Sequence, residues 1–317
     1  MQRTIRFVTG VILVFALVIG ALESASAAKP KVTATIAMIG QPVQQVAGEF
    51  VDVSILMGPG TDPHLFRPTR SDVGRLVASD LILWNGLDLE AQLEKTLHKL
   101  SKTKRVVAVG EVVLADRLLR SEEGKRDPHL WMDPQLWALV LERAFTEVAA
   151  LVPHKSIEIE ARAKAYLAEL AELDRQAEQA LATVPERARI LVTAHDAFSY
   201  FGKRYGYQVE GVQGISTESE AGLKRIEDLV QLLAERRIPS VFVETSVSER
   251  NLRALIEGAA ARGWTVRIGG TLYSDAMGAA DTKAGTYLGM MTENVEQMVG
   301  ALGGSTHALQ RLEGKSQ

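Results

Sequence analysis

From residue 31 onward, short apolar runs alternate with amphipathic stretches, and after Pro185 the alternation starts again. Strands and helices that follow one another in this way read as an α/β fold. In the first half, 32–38 and 50–56 read as strands, 70–78 as a helix, 81–84 as a buried strand stopped at Asn85-Gly86, 87–100 as a helix and 105–109 as a strand. A helix over 134–151 follows, with Asp133 at its N-cap and Pro134 in its first turn, where a missing N–H does no harm. In the second half, 189–193, 240–243 and 265–268 read as strands, and 197–205, 221–236, 249–262 and 286–302 as helices.

Between these halves the pattern changes. Residues 156–183 contain no Gly or Pro, are rich in Ala, Glu, Leu and Arg, and are bracketed by Pro153 and Pro185. Ile159, Ala163, Tyr166, Leu167, Leu170, Leu173, Ala177, Ala180 and Leu181 recur at helical spacing. At about 1.5 Å per residue this is a helix roughly 40 Å long, the width of a domain. Its heptad is imperfect, so the reading is a spine between two lobes, not a coiled coil. The expected organisation is a leader at 1–27, an N-terminal lobe at 28–153, the spine at 154–184, a C-terminal lobe at 185–302 and a frayed polar tail at 303–317.

The N-terminus narrows the compartment. Arg3 and Arg6 precede a nearly unbroken apolar run over 7–22, and Glu23-Ser24-Ala25-Ser26-Ala27 ends in Ala-x-Ala. This is the order of a secretory signal peptide, with cleavage expected between Ala27 and Ala28. The 317 residues include no cysteine. Disulfides and thiolate metal ligands are therefore excluded, and a lipid anchor on a mature N-terminal cysteine has no attachment point. A freely soluble periplasmic protein is expected. Net charge is −3 overall, and −4 once residues 1–27 with their net +1 are removed. A mild negative balance offers no basic face for nucleic acid.

Three of the six histidines sit in related surroundings. The tripeptide Asp-Pro-His occurs twice between regular elements, in Gly60-Thr61-Asp62-Pro63-His64-Leu65-Phe66 and in Asp127-Pro128-His129-Leu130-Trp131-Met132-Asp133-Pro134. Proline stiffens each loop, and the preceding aspartate can bond backbone or imidazole. His195 lies at the end of the strand 189–193, in Thr193-Ala194-His195-Asp196-Ala197-Phe198-Ser199-Tyr200-Phe201. Carboxyl ends of strands are where open α/β sheets hold ligands. A lone histidine there is ordinarily structural. Three of them on loops of two lobes, with carboxylates nearby to fix the tautomer, form the pattern a metal site needs. Asp62, Asp127, Asp133 and Asp196 are the candidate supporting carboxylates. His98, on a charged helix face, His154, at a helix start, and His307, in the tail, are not expected to bind metal.

Together with Leu272-Tyr273-Ser274-Asp275, Gly214-Ile215-Ser216-Thr217-Glu218, the run from Ile238 to Glu244 and the run from Thr286 to Val295, these motifs resemble the cluster A-I metal-binding solute receptors of ABC importers. The motifs occur in order over about 31–302, nearly the whole chain after the leader. The resemblance implies two α/β lobes, each a mostly parallel sheet flanked by helices, joined by one long rigid helix, with one metal ion between them. It assigns His64 and His129 to one side of the metal and His195 and Asp275 to the other. By itself Asp275 would read as a turn residue.

Three neutral imidazoles and a carboxylate make a closed four-coordinate shell suited to Zn2+. Manganese receptors of the family often carry Glu where His195 stands, which tilts the expected cargo towards zinc, with manganese or ferrous iron as the alternative. The His-rich loop common in zinc receptors is missing from 65–128. Because imidazole must be neutral to ligate, affinity is expected to fall as pH drops through about 6.5. The implied partners are an inner-membrane permease and its ATPase, with a metallochaperone as a further candidate, and the receptor is expected to be monomeric. The spine should restrict the lobes to small rotations. A metallohydrolase would need an open metal position and a base such as Glu218 or Glu244. Neither a Gly-x-Ser-x-Gly elbow nor a phosphate-cradling P-loop is present. No sticky repeat supports an adhesin. The expectation is a receptor, not an enzyme.

Overall fold

The computed structural model describes residues 28–121 and 123–309. The expected signal peptide at 1–27 and the end of the tail, 310–317, lie outside the described residues.

Apolar runs too short for helices, such as Leu81-Ile82-Leu83-Trp84, are buried on both faces, as parallel strands flanked by helices must be. β1 (Lys31–Ala34), β2 (Asp52–Ile55), β3 (Leu81–Trp84) and β4 (Arg105–Ala108) form one parallel sheet in the order β2-β1-β3-β4. β5 (Ile190–His195), β6 (Gln208–Gln213), β7 (Ser240–Glu244) and β8 (Arg267–Leu272) repeat that plan as β6-β5-β7-β8. In both sheets the strand order reverses beside the first strand, and the crevice at that switch point is where such sheets bind ligands.

The helices are α1 (Ala37–Ala47), α2 (Arg70–Ala78), α3 (Ala91–Leu100) and α4 (Pro134–Leu151), then the spine α5 (Ser156–Leu181), then α6 (Ser199–Tyr205), α7 (Leu223–Glu235), α8 (Arg250–Ala261) and α9 (Tyr287–Ala301). Asp133 caps α4 as expected, accepting from the backbone N–H of Gln135 at 2.9 Å. The spine runs for 26 residues and buries the stripe Ile159, Ala163, Tyr166, Leu170, Leu173, Ala177 and Leu181. It does not stand alone between lobes, because that stripe packs on α4, α9 and α1. One continuous apolar core thus runs from the first sheet through the spine into the inner face of the second. A smaller core fills the second sheet's outer face beneath α7 and α8. Asp174 on the spine adds a polar tie, accepting from Gln135 Nε2 on one side and from Arg204 Nη2 and Tyr205 Oη on the other, at 2.8–3.0 Å.

Several boundaries differ from the sequence reading. The strand expected at 32–38 stops at Ala34, and α1 follows with Pro42 inside it. The helix expected from 87 begins at Ala91, because Gly86, Leu87 and Asp88 all take positive φ. β6 is not among the strands expected from the sequence, and β8 runs on through Gly269-Gly270 to Leu272. The tail is not frayed throughout. Leu309 is buried, and the Ser305 backbone N–H donates to Thr183 Oγ1 at the spine's end. Among the described residues no helix is long and apolar enough to cross a membrane.

Candidate metal centre

The two Asp-Pro-His segments fold into the same device. In the first, which follows β2 after the loop 56–61, Asp62 Oδ1 accepts the backbone N–H of His64 at 2.9 Å. In the second, Asp127 Oδ1 accepts the backbone N–H of His129 at 3.0 Å. An aspartate that bonds the N–H two residues on makes an Asx turn, and the proline between fixes φ, so each histidine leaves its loop in a set direction. Asp127 does more than Asp62, since the same oxygen also lies 2.7 Å from His129 Nδ1.

His195 is the last residue of β5, and Glu244 is the last residue of β7, the neighbouring strand. Their common end brings them together. Glu244 Oε1 accepts the His195 backbone N–H at 2.9 Å, and Oε2 lies 2.5 Å from His195 Nδ1. Asp275 stands three residues beyond β8, in a turn bracketed by Asn294, which accepts from Tyr273 N–H and donates to Tyr273 O, both at 2.8 Å.

One ligand-capable atom from each of His64, His129, His195 and Asp275 lies within 4.8 Å of all the others, and all four residues are buried. His64 Nε2 and His129 Nε2 are 3.3 Å apart. Asp275 Oδ1 is 3.3 Å from His129 Nε2, and Oδ2 is 3.1 Å from His195 Nε2 and 3.8 Å from His64 Nε2. A tetrahedron with arms of about 2.0–2.1 Å, the length of zinc–imidazole bonds, has edges of about 3.3–3.4 Å. The separations of 3.1–3.8 Å lie near those edges, within a set of donors that spans up to 4.8 Å. Their hydrogen bonding leaves the same gap, because His195 Nε2 and both Asp275 oxygens are buried without a hydrogen-bond partner. Buried polar atoms are rarely left so, and a cation at the centre would satisfy all of them.

The electrostatics separate the histidines. Burial disfavours the charged form of His129, but the Asp127 hydrogen bond and charge, with Asp275 behind them, outweigh it and push the ring up to about 9. At His195 burial is likewise overcome, by the charges of Glu244 and Asp275, and its pKa stands well above the imidazole range. Among the described residues the His64 ring hydrogen-bonds only to His129, and burial drives it down to about 3. Burial would raise Asp275, yet the charges of the His195 and His129 rings beside it hold it well below the carboxylate range. The quartet is therefore a carboxylate facing two imidazoles whose charged form is favoured and one whose neutral form is favoured.

The remaining sequence candidates fall elsewhere. His98 lies against Trp84 and Glu94 on the surface, and His154 and His307 are outside the cluster. Asp133 serves the α4 N-cap and Asp196 accepts from Ser199 Oγ, in place of a bond to a ring of the quartet. Glu244 is the supporting carboxylate that loop-by-loop reading missed. It was visible only as the polar end of the apolar strand Ser240-Val241-Phe242-Val243, and its partner lies 49 residues away.

Comparison with known proteins agrees with this architecture. The manganese-binding lipoprotein MntA of Bacillus subtilis is 42% identical over 273 residues, covering 86% of this chain and 89% of that protein. The zinc-binding protein TroA of Treponema pallidum is 41% identical over 293 residues, covering 92% and 95%. The solved structure of periplasmic TroA from Treponema pallidum superposes with a TM-score of 0.85 at 43% identity, covering 86% of this chain and 99% of that one. Residues 32–301 match the family described as "ZnuA: Zinc-uptake complex component A periplasmic", and the chain belongs to that family.

Proposed function

We propose that this protein is an extracytoplasmic receptor that captures one transition-metal ion, zinc in the first place, through His64, His129, His195 and Asp275 and delivers it to the permease and ATPase of an ABC importer. The observation that carries the reading is the closed quartet: four buried donor atoms within 4.8 Å of one another, those of His195 and Asp275 without hydrogen-bond partners. Family membership supports the receptor role and the importer partner. Capture involves no bond-making beyond coordination. The metal replaces the protons on His129 and His195, Asp275 supplies its negative charge, and the Asx turns hold the rings so that little is reorganised.

This arrangement does not favour a metallohydrolase. Both oxygens of Glu244 are engaged by His195, and Glu218 Oε1 accepts from Gln92 across the cleft, so neither is poised over an open metal position. Manganese or ferrous iron is the second reading. Asp275 turns Oδ1 to His129 and Oδ2 to His195, so both oxygens can reach the centre and give a five-donor shell of harder character. The relative named for manganese is as similar as the one named for zinc.

A soluble periplasmic location is part of the proposal. It rests on the leader pattern at 1–27 and on a sequence without cysteine for a thioether-linked lipid, although MntA is named a lipoprotein. Elemental analysis of the purified protein, with competition between zinc and manganese, tests the function. One zinc per chain that survives excess manganese and is lost in His195→Ala supports it. A preference for manganese moves the cargo within the same site, and no stoichiometric metal in the wild type overturns it.

A further inference from the structure

The four proposed ligands are not equally secured. The His129 loop belongs to the first lobe but is tied to the second by three hydrogen bonds. Trp131 Nε1 donates to Ser274 O at 2.7 Å, Tyr287 Oη donates to Trp131 O at 2.8 Å, and Tyr200 Oη donates to Asp127 O at 3.0 Å. With His195 and Asp275 already on the second lobe, those three ligands form one preassembled block. His64 is different. It alone among the four lines the cleft between the lobes, and its neighbour Leu65 is 51% exposed. No carboxylate among the described residues hydrogen-bonds its ring, Asp275 lying 3.8 Å away, and its loop is fixed by the backbone bond to Asp62 Oδ1.

The other oxygen of that carboxylate reaches across the cleft. Asp62 Oδ2 accepts from Thr217 Oγ1 at 2.6 Å, a bond between residues 155 apart in sequence. Thr217 is itself buried, and the next residue makes a second crossing, with Gln92 Nε2 at the start of α3 donating to Glu218 Oε1 at 3.1 Å. One carboxylate thus fixes the His64 backbone with one oxygen and grips the opposite lobe with the other.

We propose that Thr217 is a positioning residue that latches the His64 loop across the cleft and sets how fast a bound metal ion leaves; this rests on the receptor reading above. A hydroxyl-to-carboxylate bond is charge-assisted and stronger than a neutral one. While it holds, Asp62 cannot swing away from His64. When it breaks, the His64 loop can lift from a block that stays intact, opening the shell on the cleft side. Interactions of this kind act mainly on the dissociation rate. The 214–221 segment is then a point where contact with the transporter could trigger release, since pulling it away removes both crossings together.

Stopped-flow release of zinc from the purified loaded protein into excess chromogenic chelator tests the latch. Thr217→Val, which keeps the shape and removes the hydroxyl, should release zinc about ten-fold faster or more, in line with loss of one charge-assisted hydrogen bond. Thr217→Ser, which restores the hydroxyl, should return to within about three-fold of wild type. Thr217→Ala repeats the deletion without a branched side chain, in case the valine variant folds poorly. A wild-type release rate in the valine and alanine variants overturns the latch and leaves the receptor reading standing. Equally fast release in the serine variant also overturns it, because the hydroxyl would not be the active feature. A wild type that holds no zinc overturns the receptor reading and the latch together.

Discussion

At the scale of single residues, what distinguishes the proposed ligands is whether a carboxylate stands behind the ring, as it does for His129 and His195 but not for His64. Asp127 and Glu244 fix the Nδ1 side of His129 and His195 and leave Nε2 to face the centre. Such partners raise ligand basicity and orient the ring, and their loss typically weakens metal binding 10- to 100-fold. Glu244→Gln is therefore expected to lower zinc affinity by about that factor in a chelator competition while keeping one metal per chain. The same carboxylates move the pH dependence. His129 is held at about 9 and His195 is raised in the same direction, so both rings are protonated at neutral pH in the metal-free protein. Metal takes the neutral ring, so affinity falls as pH drops below about 9, not below the 6.5 expected for an isolated imidazole. His64, at about 3, and the ionised Asp275 add nothing near neutrality. Calorimetry in buffers of different ionisation enthalpy should find roughly two protons released per zinc at pH 7, and none released would contradict the charge state drawn here. The quartet itself was legible because Asp-Pro-His repeats and because ordered motifs carried the resemblance. Its supports were legible only where the carboxylate lies two residues from the histidine, as Asp127 does. Glu244 was hidden because its role depends on two strands pairing.

At the scale of elements, the misread segments are those where tertiary packing overrides local preference. In α1, Gly40 and Pro42 look like breakers, yet a Cβ on Gly40 would stand 2.4 Å from Ile55 Cγ1, so glycine there lets the helix lie against the sheet. β6 reads Gln208-Val209-Glu210-Gly211-Val212-Gln213, too polar to suggest a strand, but it is an edge strand with one neighbour, β5. Gly269 and Gly270 sit in β8 because a side chain would collide with Phe242, Ser240 and Ala301 at one position and Gln297 at the other. Gly211 has a more direct bearing on the site. A Cβ there would lie 2.7 Å or less from the backbone of His195 and Asp196, and backbone cannot rotate away. Gly211→Ala should therefore shift the end of β5, displacing His195. The expected result is weaker zinc binding together with a lower unfolding midpoint in urea. A variant with unchanged affinity would show that the end of β5 tolerates the shift.

At the scale of the whole molecule, the two lobes share a core instead of meeting at a hinge. The spine's buried stripe, α4, α9 and α1 form one continuous apolar layer, and Asp174 bonds to groups on both sides of it. Rotation of one lobe against the other would have to break that packing, so the movable part is small: the His64 loop and the crossings at Thr217 and Glu218. The periodicity of 156–183 foretold the helix, but its packing partners lie more than a hundred residues away in α9 and α1 and were not readable locally. The central claim is that one metal ion sits among four side chains drawn from both lobes, and anomalous diffraction at the zinc edge from crystals of the zinc-loaded protein tests it most directly. A single strong peak is expected at about 2.0–2.2 Å from Nε2 of His64, His129 and His195 and from the Asp275 carboxylate. A peak elsewhere on the molecule, or one at this site that omits Asp275 or any of the three histidines, would contradict it.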